Sequence, residues 1–214
     1  HARRDRLHRP RPGRLHLRLT RRQPAPLHPD RLEPRDAFRF PFVDYRECAE
    51  KIRQYRYEGI FTPPSLQGTI QYPSTMGGAN WGSVAIDPVH GILYVNQTVI
   101  AQMVQLLPRD QYDRGAGALG HFPDEFYPQR GAPYGVKRTT LLSNLGAPCA
   151  PTPWGTLTAV DLKSGRVLWR SALGSTRDQA PFPFWLSSGT PNLGGSIVTA
   201  GGLVFLGATA DRFI

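Results

Sequence analysis

Short apolar runs separated by a fixed polar spacing recur along residues 81–206. Trp81-Gly82-Ser83-Val84-Ala85-Ile86-Asp87 is followed by Gly91 and Tyr94, and the pattern returns as Trp154-Gly155-Thr156-Leu157-Thr158-Ala159-Val160-Asp161, followed by Gly165 and Trp169. In both copies an Asp and a Gly stand four residues apart between the apolar runs. Asp bonds its own downstream backbone and Gly accepts positive φ without a Cβ clash, so each copy predicts strand, turn, strand. A looser third copy runs from Leu193-Gly194-Gly195-Ser196-Ile197-Val198-Thr199 through Gly201-Gly202 to Leu203-Val204-Phe205-Leu206. It starts 39 residues after Trp154, close to the ~40–50 residues of a propeller repeat. The expected class is all-β, built from blades.

Away from the repeats the pattern is less regular. Tyr45, Cys48, Ala49, Ile52, Tyr55 and Arg56 recur every three to four residues, which predicts one short amphipathic helix over 44–57, stopped at Gly59. Pro63-Pro64 excludes a helix beyond it, and Gln67 to Tyr72 alternates as a strand. The stretch from Ile100 to Pro153 is rich in Gly, Pro and Arg and reads as a long excursion from one face. Residues 178–191 read as a second excursion, with Phe182, Phe184 and Trp185 as apolar anchors.

Charge divides the chain unevenly. Residues 1–35 hold eleven Arg, no Lys, four of the six His and six Pro against three acids, and so carry +8 of the net +10. The other 179 residues have 15 basic and 13 acidic side chains, close to neutral. An Arg-rich arm can neutralise phosphates. This one lacks aromatics to stack on bases, and its prolines oppose a continuous basic helix. Nucleic-acid binding is therefore set aside, and 1–35 is expected to be a disordered or out-of-frame segment outside the propeller, which occupies 36–214. No apolar run approaches the ~20 residues needed to cross a bilayer, and no signal-peptide pattern opens the chain.

Few residues announce chemistry on their own. There is no GxSxG elbow, HExxH, P-loop or zinc-type Cys/His pairing. Cys48 and Cys149 are able to pair, but their spacing marks neither a metal site nor a redox motif, and both read as structural or incidental. Asp87 and Asp161 read as turn caps, and His90 and His121 have no partner at ligand spacing. Trp81, Trp154 and Trp169 read as packing between blades. Asn96 ends the apolar strand Ile92-Leu93-Tyr94-Val95, and Asp211 holds the matching place after Leu203–Ala210. Propeller strands deliver side chains at such positions to a face or to the central channel, so each is either a ligand contact or an ordinary turn residue.

Several strings occur in register with one family: Arg56-Tyr57-Glu58-Gly59-Ile60-Phe61-Thr62-Pro63-Pro64-Ser65, Asn80-Trp81-Gly82, Pro133-Tyr134-Gly135-Val136, Pro153-Trp154-Gly155, and Leu193-Gly194-Gly195 through Thr209-Ala210-Asp211. From about Asp36 to Ile214 the chain resembles the membrane-bound pyrroloquinoline quinone (PQQ) dehydrogenases of the glucose, quinate and shikimate group. The resemblance implies part of an eight-bladed quinoprotein β-propeller that holds PQQ near its axis beside a divalent cation, Ca or Mg. It implies oxidation of a sugar or cyclic polyol, transfer of electrons to ubiquinone, and a location at the periplasmic face of the bacterial inner membrane through an N-terminal anchor. In that family an Asp base and a Lys act on substrate and quinone with the metal. Those residues and the metal ligands fall in earlier blades, so no catalytic or metal residue is assigned here.

Residue by residue, the resemblance puts Asn96 beside the quinone and Asp211 on the flank of the same pocket, with a weaker cofactor role for Asn80 and Trp81. Leu193 stands where the soluble alcohol dehydrogenases carry a Trp under the quinone plane, which favours the glucose/quinate group. Asn80 departs from the Glu expected of a glucose enzyme. The chain then corresponds to C-terminal blades that are inactive alone and expose sheet edges. The alternative is a non-enzymatic propeller scaffold in which Asn96 and Asp211 are turn residues.

Overall fold

In the computed structural model the described residues are 26–39, 45–80, 82, 84–116, 122–207 and 209–212. Most of the Arg-rich segment and Trp81 therefore lie outside them. A 3-10 turn, Pro34–Asp36, precedes helix α1, Tyr45–Gln54. Ten strands follow: β1 Thr69–Gln71, β2 Val84–Asp87, β3 Ile92–Thr98, β4 Gln102–Pro108, β5 Asp124–Tyr127, β6 Tyr134–Thr140, β7 Gly155–Asp161, β8 Val167–Ala172, β9 Ser196–Val198 and β10 Val204–Leu206. One helical turn with a π-helical continuation, Arg109–Gln111 and Tyr112–Ala116, separates β4 from β5.

The strands form two four-stranded antiparallel sheets, in the orders β1-β4-β6-β5 and β2-β3-β7-β8, and the hairpin β9-β10. All three repeat copies fold as hairpins, and Gly91, Gly165 and Gly202 take the positive φ their turns demand, at 66°, 71° and 80°. Asp87 Oδ1 accepts the N–H of Val89 at 2.9 Å and of His90 at 3.0 Å. Asp161 Oδ1 accepts the Ser164 N–H at 2.6 Å, so both acids cap their turns.

One expectation is corrected. The first two repeats do not each found a blade; they share one sheet, joined where β3 pairs β7 from Ile92↔Asp161 to Thr98↔Gly155. That register sets Asp87 and Asp161 on either side of Ile92, at one end of the sheet, and carries Asn96 to the opposite end. With about 3.3 Å per residue, the seven residues of β3 separate those ends by roughly 20 Å.

The expected excursion from 100 to 153 also differs, because it supplies β4, β5 and β6. Charge pairs across the strands mask their periodicity: Lys137 Nζ lies 3.1 Å from Asp124, and Arg138 pairs with Glu125. The second excursion is a loop as expected, but Phe182, Phe184 and Trp185 are 75%, 43% and 45% exposed, and its Leu186 is what packs on the core. Edge strands β2 and β8 carry the exposed Val84, Ile86, Leu168 and Trp169.

The main apolar core gathers α1, β1, the start of β4 and Trp154. A disulfide joins Cys48 to Cys149, 101 residues apart in sequence. Trp154 is 3% exposed, meets Phe38 edge-on at 4.7 Å and donates its indole N–H to Ala150 O at 2.8 Å. Leu32, three residues before the break in composition, is 2% exposed in the same core. Trp169 instead lies half-exposed on β8, tilted 6.1 Å from Tyr94.

Candidate functional site

Successive side chains of a strand alternate between faces, so Tyr94, Asn96 and Thr98 share one face of β3. All three are buried, Asn96 to 1% exposure. The chain from 188 to 195 is laid against that end of the sheet, and two glycine contacts make the approach possible. A Cβ on Gly189 would run into the Gly155 carbonyl, and one on Gly195 into the Gly82 carbonyl. Gly189 also sits at φ 69°, which a side chain disfavours.

Polar side chains then close the seam. Thr98 Oγ1 donates to Asn192 O at 2.7 Å and accepts the Asn192 N–H at 2.9 Å. Asn192 Nδ2 donates to the carbonyls of Gln97 at 3.0 Å and Thr190 at 3.2 Å. Asn96 Nδ2 donates to Asn192 Oδ1 at 2.6 Å and to Gly194 O at 2.8 Å. Asn96 Oδ1 is buried and, among the described residues, has no hydrogen-bond partner. Leaving a buried acceptor unmade costs ~1–3 kcal/mol, and Gln97 Oε1 and Thr156 Oγ1 beside it share that state.

Asp211 is tied to the 174–175 turn and to its own neighbour Thr209. Its Oδ2 accepts the Ser175 N–H at 2.6 Å and the Ser175 hydroxyl at 3.0 Å, and its Oδ1 accepts the Thr209 hydroxyl at 2.6 Å. Next to it, the Ala210 N–H reaches Thr190 Oγ1 at 3.4 Å. Asn96 and Asp211 are thus joined through Asn192, Thr190 and Ala210 and not directly. Asn80, half-buried, donates to Met76 O at 3.3 Å. Leu193 is 52% exposed.

Asn192 and Thr98 carry the seam, yet neither stood out in the sequence. One signal was present: Asn80-Trp81-Gly82 and Asn192-Leu193-Gly194 share Asn-X-Gly at the head of two repeat copies, and Gly82 touches the glycine after the second.

A second recess, about 590 Å³, lies between Trp154, Ile100, Met76, Phe184 and Ala210. Its lining bears no charged side chain, and the Thr176 hydroxyl on it is already engaged with Phe184 O and the Leu186 N–H. Among the described residues no three His, Cys, Asp or Glu come together as a metal site, and no helix is long and apolar enough to cross a membrane.

A mostly antiparallel fold with a polar seam at one sheet end agrees with what comparison with known proteins returns. The β-propeller domain of PQQ-dependent glucose/ethanol/alcohol dehydrogenases matches residues 16–214. The chain belongs to this PQQ β-propeller family. It is similar to the quinoprotein glucose dehydrogenase of Escherichia coli K12, 37% identical over 179 residues, which are 80% of this chain and 22% of that protein. A probable quinate dehydrogenase (quinone) of Xanthomonas campestris pv. juglandis is 35% identical over 80% of this chain and 23% of its own length. The glycerol dehydrogenase large subunit of Gluconobacter oxydans is 37% identical over 213 residues, 89% of this chain and 28% of that protein. The chain spans about a quarter of the length of these relatives. Their names bear out the resemblance to the glucose and quinate/shikimate group.

PQQ is a planar, fused-ring quinone with polar groups along its rim. To such a group the seam presents the buried Asn96 acceptor, without a partner among the described residues, beside backbone packed as closely as only glycine permits.

Proposed function

We infer that this chain contributes the Asn96 wall of the cofactor site in a PQQ-dependent dehydrogenase that oxidises a sugar or cyclic polyol. PQQ, when bound, supplies the electrophilic quinone that accepts hydride from an alcohol carbon. The chain's residues do the holding. Asn96 meets the rim of the cofactor, Asn192 and Thr98 fix the strand and loop that carry it, and Asp211 pins the 174–175 turn to the segment behind Thr190. A weaker cofactor role for Asn80 and Trp81 rests on the family resemblance alone. The base, the Lys and the ligands of a Ca or Mg ion are assigned to blades outside this chain, ubiquinone to the role of acceptor, and the protein to the periplasmic face of the inner membrane. The observation that carries the reading is the buried Asn96 Oδ1, without a partner among the described residues, on a chain of the PQQ β-propeller family.

The test is a titration of the complete apoprotein with PQQ and Ca, followed by dye-linked oxidation of glucose, quinate and glycerol. Binding with turnover of at least one substrate is expected. Asn96→Ala and Asp211→Asn are expected to weaken PQQ binding roughly tenfold each, the scale of one to two hydrogen bonds. A protein that binds no PQQ, with its fold intact by circular dichroism, overturns the reading in favour of a scaffold. This chain expressed alone is expected to show no turnover.

A further inference from the structure

Two carboxamides meet in the seam, and the orientation of each is dictated by its neighbours. Asn192 places Nδ2 between two backbone carbonyls, Gln97 O at 3.0 Å and Thr190 O at 3.2 Å. Rotating that amide by half a turn would set its oxygen against both carbonyls, so Oδ1 is committed to the other side, where Asn96 lies. Asn96 in turn has acceptors at 2.6 and 2.8 Å, Asn192 Oδ1 and Gly194 O. Only an amide nitrogen satisfies two acceptors, since the oxygen has no hydrogen to give. Both N–H bonds of Asn96 are therefore spent inside the protein. What remains is Oδ1, buried, with no partner among the described residues.

The geometry points to Asn192 as a positioning residue that locks the Asn96 carboxamide with its oxygen turned to the ligand, so that the ligand group docked there is a hydrogen-bond donor. This rests on the PQQ reading above. Oxidised PQQ offers one such donor, its pyrrole N–H. The reduced cofactor keeps that group and adds two hydroxyls in place of the quinone oxygens, which only accept. The shared chemistry is an N–H or O–H pointing at Asn96 Oδ1. An unlocked Asn96 would turn its nitrogen to a quinone oxygen as readily, and the site would lose its preference.

The experiment compares binding of oxidised and of chemically reduced PQQ to the apoprotein, under anaerobic conditions, for the wild type, Asn192→Ala and Asn192→Asp. The alanine removes the acceptor that holds Asn96. The aspartate keeps that acceptor but faces the Gln97 and Thr190 carbonyls with a carboxylate, so a merely structural role makes it the worse substitution. Positioning makes it the better binder. The expected result is a three- to tenfold loss of affinity in Asn192→Ala, the worth of one hydrogen bond, with at least partial recovery in Asn192→Asp. Loss confined to the reduced form identifies a hydroxyl as the donor, and equal loss in both forms identifies the pyrrole N–H. Wild-type affinity in the alanine variant, loss confined to the oxidised form, or an aspartate variant weaker than alanine overturns the inference.

Hydrogen exchange of the Asn96 side-chain amide in the wild type keeps the test independent of variant folding and of PQQ. Both protons are expected to be protected. Exchange at the rate of an exposed carboxamide overturns the lock, whereas protection without any PQQ binding retires the PQQ reading and leaves the lock standing.

Discussion

Around α1 the chain is joined by apolar side chains and one covalent link, whereas the segment 190–194 is joined to β3 by polar side chains reaching backbone groups. Both regions are buried, and Trp154 and Val99 stand at the border between them, with the Val99 N–H donating to Trp154 O at 2.8 Å. Apolar burial is non-directional and fixes that a surface is covered, not how each atom is aimed. The polar seam sets donor against acceptor, and it leaves the Asn96 and Gln97 carboxamide oxygens and the Thr156 hydroxyl without a partner among the described residues. The first region supplies stability, and the second spends some of it on geometry.

The largest expected effect comes from cutting the covalent link. Cys48→Ala together with Cys149→Ala releases a loop of about 100 residues, worth roughly 4–5 kcal/mol in the chain-entropy account. Denaturant unfolding should show that loss, while PQQ affinity, read where the variant is still folded, stays within twofold of the wild type. A matching loss of affinity would mean that the two regions are not separable.

Thr98→Val strikes the other side. The isosteric valine removes one donor and one acceptor at a site 1% exposed and strands the Asn192 N–H and carbonyl, at a cost of ~1–3 kcal/mol. Here the ranking reverses: stability falls less than in the cysteine variant, and PQQ affinity falls more. Equal affinity in the two variants would erase the distinction.

How much of this was legible follows the same division. Hairpins were readable because their signals are local: apolar alternation, with Asp and Gly four residues apart, at Asp87/Gly91 and again at Asp161/Gly165. The joining of β3 to β7 was not, since that pairing spans more than fifty residues and depends on register, which no local pattern states. Strands β5 and β6 hid behind their own ion pairs, as Lys137 and Arg138 gave a charged look to a strand whose partner neutralises it. Cys48 and Cys149 gave no sign of their pairing, because the contact is made by α1 packing on the 141–150 turn. At the site, Asn96 was found as the polar residue closing an apolar run and by family resemblance, although β3 continues through Gln97 and Thr98, while Asn192 was missed because its meaning lies in a residue 96 positions away.

The smallest expected effect concerns acid, and it distinguishes the two ends of a single sheet. At the turn end, the Asp87 carboxyl is held below the usual carboxylate range, first by the His90 side chain at 2.7 Å and then by backbone N–H groups. Asp161 is lowered chiefly by the Ser164 backbone N–H. A carboxyl depressed on folding contributes stability that is present above its unfolded value and is lost as pH falls through its folded one. The turns should therefore loosen below the ordinary carboxylate range, with faster amide exchange at Val89, His90 and Ser164 as pH drops, after correction for intrinsic rates. Asp87→Asn should abolish that dependence at Val89 and His90 and leave Ser164 unchanged. At the other end Asn96, Asn192 and Thr98 carry no ionisable group, so the Asn192 amide should hold its protection through the same titration. A seam that loosens with the turns would show that β3 transmits the loss along its roughly 20 Å, and the two ends would then be one cooperative unit.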